Sequence, residues 1–342
     1  MQKLLIGTHT SNDEQNYLQI VSVKIPLESS KDTKDYKDNM LDDNTTGVAG
    51  SGVTNAKQAR ISIDVQINHQ GEVNKARYMP QDQKIIATKT NDGEIDLFDY
   101  YKHPKTPVND EVKPDLRLLG HTQEGYGMEW NPITKGMLLS GSDDCRVCVW
   151  DINATSSNVL TQEPVVNFEA HSSIVEDVAW NNFDEFIFST VGDDKKLKIW
   201  DIRDPKRPTN CIEGHVQEIM SVDCSPFDQY LMVTGSADST VAVWDTRNVK
   251  TKLFSLRSHT KDVNNVRFSK MQSNLLASSS HDRRIMVWDL SRFDKPQTEE
   301  EKEDGPPELL FVHGGHTDRV SDLSWNLNER LMMASVADDN VV

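Results

Sequence analysis

Residues 274–290 read NLLASSSHDRRIMVWDL. A short apolar run leads into a tight turn at Asp282, and a second β-rich run ends at Trp288-Asp289. That order is strand, turn, strand. Asp282 precedes Trp288 by six residues, and His259 precedes Asp282 by twenty-three. Working outward, the same spacings recur. Asp92, Asp144, Asp194 and Asp238 lie six residues before Phe98, Trp150, Trp200 and Trp244, each of which is followed by an aspartate. His69, His121, His171 and His215 precede those turn aspartates by twenty-three residues, and His316 with Asp339 repeats that interval. Six matches at one spacing define an internal repeat, the feature to seek first in any chain.

The chemistry of each unit follows from its residues. The turn aspartate can accept a hydrogen bond from the histidine. A hydroxyl on the preceding strand (Ser140, Ser189, Thr234 or Ser278) and the tryptophan complete a buried polar network. A His-Asp pair also suggests a charge relay, but a catalyst needs one such pair and a structural latch is needed in every unit. With no nucleophile–base pair outside the repeat and no phosphate loop, no enzymatic activity, cofactor or metal site is expected. Cys145 and Cys148 form a C-x-x-C, yet it sits in a turn running into a strand, and no second pair has metal-ligand spacing.

The architecture expected is all-β: a WD-repeat β-propeller in one domain over residues 1–342. Five units are complete and a sixth stops early. A seventh blade is expected at the front, where KLLIGTHT and YLQIVSVKI read as strands and Ile61, Ile63, Val65 and Ile67 share one face. Because a propeller closes by pairing its two ends, the chain reads as truncated at both. Residues 28–58 are polar and read as a disordered loop.

Charge narrows the partners. The chain has 54 acids against 37 lysines and arginines, for a net −17, so it repels nucleic-acid phosphates and suits basic partners. No apolar run approaches the roughly 18 residues of a membrane span and no secretory signal is visible, so a soluble intracellular protein is expected. Two acidic surfaces stand out. The third residue after each marker histidine is Glu72, Glu124, Ile174, Glu218, Asp262 or Arg319, and the fifth is Asn74, Tyr126, Glu176, Met220, Asn264 or Ser321. These alternate positions of an inner strand face the mouth of the channel. The other surface lies in the 294–308 insertion, where residues 297–308 read QTEEEKEDGPPE. Pro306-Pro307 stiffens the loop before Leu309, Leu310 and Phe311 rejoin the sheet.

Several stretches resemble the retinoblastoma-binding WD-repeat histone chaperones: INHQGEVNKARYMPQ at 67–81, IIATKT at 85–90, PDLRLLGHTQEGYG at 114–127, GSADSTVAVWDTRN at 235–248 and EDGPPELLFVHGGHTDRVSDLSWN at 303–326. The resemblance implies a non-enzymatic scaffold in the nucleus. Its partners would be histones three and four and the larger subunits of chromatin assembly, acetyltransferase, deacetylase, remodelling or Polycomb complexes, without direct contact to nucleic acid or membrane. It implies that Glu72, Asn74, Glu124, Tyr126, Glu176 and Asp193 hold the basic tail of histone three, with Tyr126 stacking on a guanidinium. It further implies that Glu303, Asp304, Gly305, Leu309 and Leu310 hold the first helix of histone four, against an N-terminal helix that this chain lacks. Met220 and Asn264 stand where the family often carries Asn and Phe. A rival expectation is a cullin ubiquitin-ligase substrate receptor, since Trp200-Asp201-Ile202-Arg203 and Trp244-Asp245-Thr246-Arg247 match the W-D-x-R adaptor pattern.

Overall fold

In the computed structural model the described residues are 1–10, 14–24, 60–154, 159–339 and 341. The stretch expected to be a disordered loop, 28–58, lies outside them.

The repeat folds as consecutive antiparallel sheets, or blades. Blade 1 comprises Lys75–Met79, Asp82–Lys89, Ile95–Asp99 and Leu116–Leu118, with Thr161–Gln162 added in parallel at its outer edge. Blade 2 comprises Met128–Trp130, Met137–Gly141, Arg146–Asp151 and Val166–Glu169. Blade 3 comprises Val175–Trp180, Ile187–Gly192, Lys196–Asp201 and Asn210–Glu213. Blade 4 comprises Ile219–Cys224, Leu231–Ser236, Thr240–Asp245 and Phe254–Arg257. Blade 5 comprises Val263–Phe268, Leu275–Ser280, Ile285–Asp289 and Leu309–His313. Blade 6 has two described strands, Val320–Trp325 and Met333–Ala337.

Among the described residues six blades are present, not the seven expected. The front segment forms a three-stranded sheet of Gln2–Gly7, Asn16–Lys24 and Arg60–His69, with no inner strand among the described residues. Its Ile61 and Ile63 do not share a buried face with Ile67: both are exposed. The pairing with Asn16–Lys24 skips Asp64, and one extra residue reverses which side chains face inward.

A blade cannot bury both its faces alone, so its core lies between it and the next. One cluster joins Val191, Leu197 and Ile212 of blade 3 to Val222, Met232 and Trp244 of blade 4. Equivalent clusters join blades 1 and 2, 2 and 3, 4 and 5, and 5 and 6. This two-sided cover explains why a strand such as Leu231–Ser236 is buried almost throughout. The inner strands are also stitched directly. The indole Nε1 of Trp130, Trp180 and Trp325 donates to the carbonyl of Arg77, Glu129 and Arg267 on the preceding inner strand. Asp322 of blade 6 receives Arg77 at 3.1 Å and lies 3.4 Å from Lys75, tying the last blade to the first. These cations hold its carboxyl far below the usual range despite burial.

The polar latch forms with corrections. In blade 4, His215 Nδ1 lies 2.9 Å from Asp238, and His215 Nε2 and Trp244 Nε1 each lie 2.8 Å from Thr234 Oγ1. The tryptophan donates, so the hydroxyl proton goes to Nε2 and the imidazole proton to the aspartate. Blade 5 repeats this with Ser278. In blade 3 the hydroxyl is Thr190, not Ser189. Ser189 lies on the opposite face of that strand, where it meets Cys224 and Met232 of blade 4. In blade 2, Ser140 is taken by the buried ammonium of Lys89, which also donates to the Gly141 carbonyl. His121 Nε2 therefore has no hydrogen-bond partner among the described residues, and Trp150 donates to Leu119 instead. In blade 1, Asp92 accepts from Thr90, while His69 bonds the Gly71 carbonyl and Thr88.

Candidate functional site

Two loops of each blade meet at one end of its strands: the turn before the third strand, carrying the marker aspartate, and the connection carrying the marker histidine. A backbone hydrogen bond locks them. The amide of the residue before the aspartate donates to the carbonyl three residues past the histidine: Asp143 to Glu124, Asp193 to Ile174, Ala237 to Glu218, His281 to Asp262 and Asp338 to Arg319, at 2.9–3.1 Å. The same bond therefore carries two residues per blade to the channel mouth in blades 2 to 6, and in blade 1 Glu72 and Asn91 hold the corresponding sequence positions.

In blades 1 to 3 those side chains are mostly carboxylates. Glu124 accepts from Asn74 Nδ2 at 3.1 Å. Glu72 lies 3.4 Å from His9 of the front sheet. Tyr126 is half exposed, and burial together with the charges of Glu124, Asp143, Glu72 and Glu176 raises its hydroxyl pKa. Glu176 is pushed up to about 8, first by burial and then by the adjacent Asp193 and by Asp143 and Asp177. Carboxyls that raise one another in this way are held closer than they would choose, and a cation entering among them relieves the cost. The structure thus brings Glu72, Asn74, Glu124, Tyr126, Glu176 and Asp193 into one electrostatic neighbourhood.

Asp143 belongs to that neighbourhood and was missed. Burial raises its pKa, followed by the charge of Glu124, with Asp193 adding further; Lys89 opposes them. The signal was available, since Asp143 stands directly before the marker Asp144 as Asp193 stands before Asp194. Beneath it, Lys89 is fully buried and burial lowers its pKa to about 7. Its bonds to Ser140 and Gly141 hold the strand that leads into the Asp143 turn.

The 294–308 insertion leaves Asp289 at the opposite end of the strands, because Ile285–Asp289 runs away from the mouth and Leu309–His313 runs back, Ile285 opposite His313. Part of it is helical: Glu299–Glu303, started by a Thr298/Glu301 capping box. Glu303 and Asp304 are exposed, and Asp304 caps the helix. Gly305 has φ +123, and a Cβ there would stand 2.9 Å from Leu309 Cδ2. Leu309 turns inward onto the core shared by blades 4 and 5, whereas Leu310 and Phe311 face solvent. Glu303 and Asp304 are thus exposed on the insertion and Leu310 on the strand that follows it, with Gly305 half-buried between them and Leu309 as the anchor.

Arg203 and Arg247 of the W-D-x-R sequences lie at that same far end. Each makes a two-point ion pair with the aspartate two residues before it, Asp201 or Asp245, and lies over a ring, Phe186 at 4.5 Å or Tyr230 at 4.6 Å. Both guanidinium groups thus have intramolecular partners. Cys145 occupies the left-handed turn position at φ 65 and Cys148 is buried on the following strand.

Fold and repeat together define a WD-repeat propeller. The family model described as WD domain, G-beta repeat matches residues 115–151, 162–201, 206–245, 250–289 and 307–342, more than half of the chain, which belongs to that family. Residues 1–27 match the model for the histone-binding protein RBBP4 and its counterpart in the CAF1 complex. Within the WD-repeat family, the chain is a member of the RBBP4-like histone chaperones.

Proposed function

We propose that this protein is a histone-binding scaffold of the nucleus, joining histones to the larger subunits of chromatin assembly, modifying or remodelling complexes. The acidic mouth takes the basic tail of histone three, and the surface that includes Glu303, Asp304, Gly305, Leu309 and Leu310 takes the first helix of histone four. The observation that carries the reading is the pair of backbone hydrogen bonds, Asp143 to Glu124 and Asp193 to Ile174, that gathers carboxylates at one end of the sheets around Glu176 and a half-exposed Tyr126. A site of that kind is stabilised by an incoming guanidinium or ammonium, and Tyr126 offers its ring as a second surface. The role needs no catalytic group and no cofactor.

The test is a fluorescence titration with a histone-three tail peptide at two salt concentrations. Wild type binds, and more weakly at high salt, as expected for charge pairing. Glu124→Lys combined with Glu176→Lys reduces affinity by at least ~100-fold, since like-charge juxtaposition adds to the lost pairs. Glu303→Lys combined with Asp304→Lys leaves tail affinity unchanged and weakens a histone-four helix peptide. Tail binding that survives the mouth reversal would sink the proposal.

A further inference from the structure

The mouth is not acidic all the way round. At three repeat positions near the mouth, blades 5 and 6 carry a cation where most of the other blades carry a carboxylate or a neutral group. Two residues past the marker histidine stand Gln123, Ser173 and Gln217 in blades 2 to 4, but Lys261 in blade 5. Three residues past it, blade 6 has Arg319 where blades 1, 2 and 4 have glutamate. The left-handed turn residue is Cys145 in blade 2 and Ser239 in blade 4 but a cation in blades 3 and 5, Lys195 at φ 63 and Arg283 at φ 70, and Lys195 donates to the Val216 carbonyl. The locking hydrogen bond of blade 6 carries Arg319 to the mouth, and Lys261 and Arg283 stand within two residues of the locked pair Asp262 and His281 of blade 5.

Lys261, Arg283 and Arg319 line one open groove between blades 5 and 6, together with His281, Asp262 and Asp318. Each carboxylate there has one contact of its own. Asp262 lies 3.5 Å from His281, and Asp318 accepts from the amide of Arg319. Arg319 is held 2.7 Å from Asp338. Lys261 and Arg283 are exposed and form no ion pair among the described residues; Arg283 reaches only the Thr317 carbonyl, at 3.5 Å. Two cations without an ion pair, Lys261 and Arg283, thus face the groove beside Arg319, with the carboxylates of Asp262 and Asp318 at its edge.

We infer that this groove is an anion subsite of the same mouth, one that takes a phosphoryl or carboxylate side chain of the peptide whose basic residues blades 1 to 3 hold. The mouth therefore selects bipolar peptides, cationic at one end and anionic at the other, and phosphorylation downstream of the basic segment strengthens binding. A phosphoserine suits it best, presenting three acceptor oxygens and close to two charges. The inference rests on the proposed function for the basic half and is tested separately from it.

The probe is a set of synthetic peptides, each with one fixed basic segment followed by a neutral linker, carrying a single phosphoserine at successive positions. Serine versions, and phosphoserine peptides whose basic residues are replaced by glutamine, complete the set. At constant ionic strength, at least one phosphoserine position tightens binding to wild type by ~10-fold over its serine twin, as charge-assisted bonds to two cations provide. Lys261→Ser with Arg283→Ser abolishes that gain and leaves the serine peptide's affinity unchanged; both side chains are exposed, so folding is not at stake. A gain absent at every position, or one that persists in the double variant, overturns the inference. If the serine peptide fails to bind at all, the basic half is wrong, and the glutamine peptides decide the subsite alone. Phosphoserine binding that depends on Lys261 and Arg283 then upholds the subsite, and its absence removes both.

Discussion

The channel mouth and the 294–308 insertion are both acidic, but in different ways. At the mouth, carboxylates are anchored by backbone hydrogen bonds, partly desolvated and crowded enough to raise the pKa of Glu176 and Asp143. On the insertion they stand in solvent on a five-residue helix, where burial does not penalise the charge and Glu301 is held lower by its bonds to Thr298. The same residue types thus serve different ends. Crowding under low dielectric makes a site that needs a cation, whereas exposure makes a solvated surface whose binding must come from shape and from apolar neighbours such as Leu310.

The scaffold beneath the mouth breaks the comparison most sharply. Thr234 satisfies His215 and Trp244 at once inside the blade 4 latch. Thr234→Val leaves two buried polar groups unpartnered and is expected to lower the urea-unfolding free energy by ~3 kcal/mol, at ~1–3 kcal/mol for each. A loss below ~1 kcal/mol would mean that the latch contributes little to the scaffold under the mouth.

Next in size is the pH response of the mouth. The folded carboxyl of Glu176 titrates near 8, above its ordinary value, so at neutral pH much of it is protonated and uncharged. A bound cation requires the carboxylate, so tail affinity rises as pH climbs from 6 to 8 and levels off beyond. The expected rise is several-fold, bounded by the ~10-fold per pH unit of a single coupled proton. Glu176→Gln flattens the profile. A wild-type profile already flat between pH 6 and 8 would remove Glu176 from the binding cluster.

The smallest effect is at the insertion. Thr298 accepts from the Glu301 amide in an exposed capping box. Thr298→Ala is expected to cost ~0.5–1 kcal/mol locally, as lost caps do. Amide exchange across residues 299–304 reads it, with faster exchange there and none in blades 4 and 5. Global destabilisation would show that the insertion is coupled to the core more tightly than its exposure implies.

Much of this was legible in the chain. Histidine and aspartate at a constant interval announced the repeat, and four Trp-Asp pairs announced buried indoles; Trp150 and Trp288 are fully buried and Trp244 and Trp200 nearly so. The capping box was legible too, as Thr298 and Glu301 three residues apart, but the double proline drew attention to stiffness and away from a helix. Ser189 misled because it and Thr190 are adjacent hydroxyls, and only the pleat decides which one faces the histidine. Lys89 gave no warning. A lysine at the end of a strand reads as solvent-exposed until the next blade closes over it.

What the sequence determined by itself is therefore what repeats: blade, latch, and two positions per unit carried to one end of the sheets. Periodicity suffices there because each unit forms from neighbours close along the chain. What only the tertiary structure decided is what happens between units: that Lys89 takes Ser140 from His121, that Asp322 closes on Arg77 across 245 residues, and that Asp143 joins Glu176. Those outcomes depend on which side chains meet when separate blades pack. A charge's pKa and a hydroxyl's partner are properties of that meeting, and no local spacing records them.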